Sequence, residues 1–214
     1  MKKTLIMALM LGLTGTVHAE TLSIEYASFY SHVKKLDDEE TNALQFAFGF
    51  KRVQKDELCP VNQAFIQTQK QTIPLQVTDE YRFTVPSEKA LKMAKALVVV
   101  ELGEKANLCD MSVQLETKPE YLKAEYDAQT LKTLFSQYQA FFDNMGGFMS
   151  FLMPSADGLK MHFDQLDSHT VSADIKISQG TLVLSEEMIE RGMNLALPAQ
   201  PMRITARMDN EKGS

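Results

Sequence analysis

The chain has little of what identifies most protein activities. It carries two cysteines, no block of lysine and arginine, and no apolar run long enough to cross a bilayer. It has no Gly-x-Ser-x-Gly elbow, no His-Glu-x-x-His pair and no glycine-rich phosphate loop. Each absence removes a class. Nucleic acid and anionic lipid surfaces call for clustered cations to meet their phosphates, whereas this chain has 28 acidic residues against 22 basic ones. A permanent membrane helix needs about 20 apolar residues. Gly146-Gly147 is followed by Phe148-Met149 rather than Lys-Ser/Thr, so it reads as a helix end and not as a phosphate cradle.

What is present begins with an address. Lys2 and Lys3 form a positive head, residues 5–13 an apolar run, and Val17 and Ala19 the small residues ahead of Glu20. That order predicts a secretory leader cleaved after Ala19. No cysteine follows that site, so no lipid anchor is expected. Removing 19 residues from 214 leaves 195 and takes the formal charge from −6 to −8. That length suffices for one good core or two of about 100 residues. In an oxidising compartment the pair Cys59 and Cys109 predicts one disulfide. A redox couple normally has close C-x-x-C spacing.

Apolar spacing supplies the elements. Tyr26, Phe29, Tyr30 and Val33 follow one helical face, entered from a short strand. Leu44, Phe46, Phe48 and Phe50 alternate as a half-buried strand. Residues 62–69, 73–78 and 81–85 read as strands, and Ser87 as the cap of a short helix containing Leu91. Residues 97–100 are a continuous apolar run fit for a central strand, and Met111, Val113 and Leu115 alternate as another. The clearest helix spans 128–144, where Leu131, Leu134, Phe135, Tyr138, Phe141 and Phe142 form one broad stripe. Strands are then expected at 159–163, 171–177, 181–184, 195–197 and 202–208, with a short helix from Ser185 and a frayed tail at 209–214. The fold class is α+β, antiparallel sheets with packed helices.

A shift of 98 residues pairs Phe65 with Phe163, Ser87-Glu88 with Ser185-Glu186, and Leu97 with Leu195. This predicts two tandem copies of a small α+β unit, 20–117 and 118–208.

Candidate chemistry is sparse. His162-x-Asp164 and Asp167-x-His169 offer the ligand types of a divalent-metal site. The polar face of a surface strand explains the same pattern, and no metal or cofactor is assigned. His32 would need a Ser or Asp brought to it by the fold, and no catalytic residue is assigned. The candidate binding residues are Phe141, Phe142, Met145, Phe148, Met149, Phe151, Leu152 and Met153, because Met- and Phe-rich surfaces adapt to apolar partners. The competing reading buries them as core.

Several stretches carry a resemblance. They are Phe29-Tyr30-Ser31-His32-Val33-Lys34-Lys35, Cys59 with Ala64-Phe65-Ile66-Gln67-Thr68, and Val85-Pro86-Ser87-Glu88-Lys89-Ala90-Leu91. Gln114-Leu115-Glu116-Thr117-Lys118 and Tyr138-Gln139-Ala140-Phe141-Phe142 with Gly146-Gly147-Phe148 complete the set. In these the chain resembles a family of uncharacterised exported gammaproteobacterial proteins, a domain of unknown function. The resemblance implies a periplasmic setting and carries no activity. The expected role is a non-enzymatic interaction or adaptor module with an unknown protein partner. The alternative is a carrier of a hydrophobic small molecule or lipid.

Overall fold

Period-two and period-3.6 apolar patterns become strands and helices throughout the computed structural model, which describes residues 20–146 and 155–208. Residues 1–19, where a leader is expected, the tail 209–214, and Phe148, Met149, Phe151, Leu152 and Met153 lie outside the described residues. Strand β1 (Glu20–Glu25) runs straight into helix α1 (Tyr26–Val33), which buries Tyr26, Phe29 and Val33 at helical spacing. β2 (Leu44–Arg52) buries Leu44, Phe46, Phe48 and Phe50 on one side. Then come β3 (Val61–Gln67), β4 (Thr72–Leu75), α2 (Lys89–Met93), β5 (Leu97–Leu102) and β6 (Cys109–Thr117). The second half holds β7 (Glu125–Tyr126), α3 (Ala128–Gly146), β8 (Ala156–His162), β9 (Ser168–Thr170), β10 (Lys176–Ser178) and β11 (Thr181–Ser185). It closes with α4 (Glu186–Glu190), β12 (Leu195–Ala196) and β13 (Arg203–Met208).

The strands form sheets ordered β1-β5-β3-β4, β2-β6, β7-β12 and β13-β8-β11-β10-β9, all with antiparallel neighbours. The fold is therefore α+β. The apolar run of β5 lies between β1 and β3, where both its faces are covered. Cys59 and Cys109 are joined in a disulfide that ties the entry of β3 to the start of β6. Among the described residues no helix is long and apolar enough to cross a membrane.

The halves share a pairing scheme. β1 pairs β5 with Glu25 opposite Leu97, and β7 pairs β12 with Tyr126 opposite Leu195. β2 pairs β6, as β8 pairs β13. A helix follows β1 and β7 in each case, but α3 has 19 residues and α1 has 8, so β8 lies further from β2 than 98 positions. One apolar cluster includes Tyr26 and Phe48 of the first half with Leu131, Leu159 and Ile204 of the second. α3 bridges the halves: Tyr138 Oη donates to the Ile204 carbonyl at 2.7 Å and hydrogen-bonds Thr117 Oγ1 at 3.0 Å. Gln137 Oε1 accepts the Ala43 N–H at 2.7 Å.

Three local expectations differ from the structure. Residues 81–85 form no strand; Phe83 alone bridges Phe48 and Val77. Tyr81 has a positive φ of 58° on one side, and Pro86 lacks an N–H on the other. Residues 171–177 are not one strand, because Ser172-Ala173-Asp174 makes a tight turn in which Val171 and Ser172 both donate to the Ile175 carbonyl. Ser87 caps nothing: its hydroxyl donates to Asp37 Oδ2 at 2.9 Å, and Glu88 precedes α2. Ser185 does cap α4, its Oγ accepting the Met188 N–H at 3.3 Å.

Candidate functional site

The candidate residues on α3 divide between core and surface. Phe141 is buried and meets Phe46 edge-on, with ring centroids 5.6 Å apart. Phe142 is half-buried and stacks edge-on against Phe141 at 5.3 Å. Met145, one turn on, is 43% exposed. The described part of the block thus completes an aromatic wall before reaching solvent. His32 belongs to the same wall, edge-on to Phe46 at 5.6 Å and Phe48 at 6.0 Å. Burial, aided by the Lys35 charge, holds its pKa below the ordinary histidine value. The ring has no hydrogen-bond partner among the described residues, so it packs here as an aromatic.

Beside Phe46 an open cleft of about 500 Å³ enters the molecule. Its apolar lining comes from Val33 at the end of α1, Leu36 beyond it, Leu44 and Phe46 of β2, Ile73 and Leu75 of β4, and Val85 and Pro86 after Phe83. Asp37 and Lys118 supply one charge of each sign. The cause of the cleft is a strand that departs. Phe48 and Phe83 exchange two backbone hydrogen bonds of 2.8 Å, so residue 83 lies between β2 and the chain at Val77. Beyond Phe83 the segment leaves the ladder. Tyr26 Oη donates to the Pro86 carbonyl and accepts the Glu88 N–H, and Asp37 holds Ser87.

This departure leaves one side of β2 open. In an antiparallel strand alternate residues turn both backbone groups to the same neighbour. The odd residues of β2 face β6, as the Lys118 N–H to Ala43 carbonyl bond continues to show. The even residues face away. Phe48 is paired with Phe83, the Phe50 carbonyl accepts the Cys59 N–H, and the Arg52 N–H donates to the Glu57 carbonyl. Among the described residues, Leu44 and Phe46 have no backbone partner on that side, and both border the cleft. In the second half β11 pairs with β8 at five consecutive positions, from Thr181 opposite His162 to Ser185 opposite Gly158.

A polar junction lies between the two sheet systems. Arg203 donates to Gln114 Oε1 at 2.6 Å and pairs with Glu80 at 3.0 Å. Glu116 is buried and accepts from Gln45 Nε2 at 2.9 Å, and burial raises its pKa. Burial and the Arg203 charge lower the Arg82 pKa, and Arg82 Nε and Nη1 are buried with no hydrogen-bond partner among the described residues. No sequence signal marked these residues, since 80, 82, 116 and 203 meet only through the fold.

The residues of metal-ligand type at 162–169 do not converge among the described residues. His162 Nε2 hydrogen-bonds Thr205 Oγ1 at 3.1 Å, and His169 is exposed on β9. Among the described residues one group of three ligand-type side chains comes within 4.8 Å, Cys59, Glu104 and Cys109. Its two sulfurs are already joined to each other.

Fold and site together define an α+β protein of paired antiparallel sheets with a recessed, open strand edge. A family model described as protein of unknown function (DUF2987) matches residues 18–163, and the chain belongs to that family. The match takes in every residue that borders the cleft. No curated protein and no solved structure matches the chain.

Proposed function

We propose that the chain is an exported, periplasmic interaction module, non-enzymatic, which captures a protein partner at the cleft beside Phe46. The leader-like residues 1–19 and the Cys59–Cys109 disulfide support the compartment. The observation that carries the role is an apolar cleft opening beside unpaired backbone of β2. Short unpaired strand edges bordering an apolar cleft are docking features. Phe148, Met149, Phe151, Leu152 and Met153 remain part of the proposal as sequence, next in the chain after Met145.

Photo-crosslinkers placed at Ile73 and at Met93 in living cells test it. Met93 is 75% exposed on α2 and does not border this cleft. The same partner band is expected from Ile73, absent from Met93, and lost when Leu75→Asp is added. Equal bands from both positions, or a band indifferent to Leu75→Asp, would sink the reading. The volume of the cleft also falls in the range of small-ligand sites, which favours the carrier of a hydrophobic molecule as the second reading. Native mass spectrometry of protein taken from its own compartment separates the two through a reproducible added mass.

As an ancestry for this architecture we propose two tandem α+β units, 20–117 and 118–208. The repeated β1–β5 and β7–β12 pairings support it.

A further inference from the structure

We infer that the cleft takes an extended peptide, apolar at alternate positions, which adds as a strand to β2 at Leu44 and Phe46. This rests on the reading of the cleft as a partner site and specifies how the partner binds. Register places the unpaired edge. Phe48, Phe83 and Val77 lie in one row across three chains, so antiparallel counting puts Phe46 in the row of Leu75, and Leu44 in the row of Ile73. Between those rows the intervening chain has left the ladder. Neighbouring strands stand about 4.8 Å apart, so a strand added between β2 and β4 needs two spacings, and Thr84, Val85, Pro86 and Ser87 line the space it would enter.

The two flanks are not equivalent. On the β2 side, Leu44 and Phe46 each offer an N–H and a carbonyl with no partner among the described residues. On the β4 side Pro74 has no N–H to give, a feature that protects an edge from indiscriminate pairing. A strand entering the cleft therefore takes its ladder from β2 and lays its side chains against β4. The wall it meets is Val33, Leu36, Ile73, Leu75, Val85 and Pro86, with one charge of each sign in Asp37 and Lys118, so the central residues of the occupant are neutral and apolar. The second half shows a filled counterpart. There β11 runs along β8, the partner of β13, with Leu182 and Leu184 buried and Thr181, Val183 and Ser185 turned outward. Burying unpaired backbone without a partner is unfavourable, and an added strand satisfies it.

Amide hydrogen exchange on the mature protein, followed residue by residue, tests this. In the free protein the Leu44 and Phe46 amides are expected to exchange ahead of the Phe48 amide, which is bonded to Phe83. If Leu44 and Phe46 are already protected, the edge is occupied and the inference falls. A displayed library of ten-residue peptides is then selected against the protein. Selected peptides should alternate apolar and polar residues and slow exchange at Leu44 and Phe46. Methylating one ladder-side backbone nitrogen of such a peptide should weaken binding about tenfold or more, while the neighbouring nitrogen should tolerate it. Failure to select any peptide overturns the inference, as does selection of peptides that leave both amides exchanging. If crosslinking at Ile73 still captures a partner in that case, the module reading stands and the strand-addition mode alone is lost. If that capture fails as well, both are lost.

Discussion

His162 occupies a strand position that reads as polar and solvent-facing, yet the fold covers most of its ring. Burial first, then the charges of Arg203 and Lys160, push its pKa down to about 4 from an ordinary 6.5. The folded protein therefore resists protonating a group that the unfolded chain protonates readily. Its contribution to stability is complete above pH 6.5, declines as pH falls, and is lost once pH drops through about 4. The whole effect is worth about 3 kcal/mol. Glu116 has the opposite sign, since a raised carboxyl pKa favours the fold at low pH and loses that contribution as pH rises. Urea titrations of wild type and His162→Gln between pH 7 and pH 4 isolate the histidine. The wild type should lose more stability over that interval than the variant, and parallel curves would show the burial to be energetically silent.

At the scale of elements the disulfide is the clearest stabilising device. It closes a separation of 50 residues and joins the entry of β3 to β6, which lie in different sheets. Chain entropy assigns such a loop about 4 kcal/mol. The double variant Cys59→Ala/Cys109→Ala should lose a corresponding amount in a denaturant titration, with fluorescence or circular dichroism as the signal. A loss below about 1 kcal/mol would place the stability elsewhere. The elements themselves were legible where one residue type dominates a period. The Leu44-to-Phe50 alternation, the apolar run of β5 and the stripe of α3 all stand as expected. Residues 81–85 were not legible, because their alternation is a strand's while the chain just after them is drawn away by Tyr26, some 60 positions earlier, which holds the Pro86 carbonyl and the Glu88 N–H. Ser87 failed as a cap for the same reason, its hydroxyl being taken by Asp37.

At the scale of the whole molecule, the two halves cover one another. Phe141 lies over Phe46, Gln137 satisfies Ala43, and Tyr138 joins Thr117 to Ile204. Residues 20–117 expressed alone would expose Phe46 to water and leave the Ala43 N–H without its partner, although the disulfide would remain. We expect that fragment to lack a sharp thermal transition and to show weak near-ultraviolet circular dichroism. A cooperative melt at the full-length midpoint would mean that the interface contributes little. The candidate site depends on the same assembly, since its wall draws on α1, β2, β4 and the chain beyond Phe83.

By itself the sequence determined the periodicities, and hence which residues become strand or helix, together with the pairing of its two cysteines. Those are local or exhaustive properties: a period needs only neighbours, and two cysteines allow one bridge. Tertiary structure decided which polar groups are satisfied. Whether the Phe46 backbone finds a partner, whether the His162 ring is partly covered, and whether Arg82 feels the Arg203 charge depend on residues tens to more than a hundred positions away. The open edge of β2 is such a property. Nothing in Leu44 or Phe46 marks it, because it exists only where a third segment, held by Tyr26 and Asp37, fails to lie down beside them.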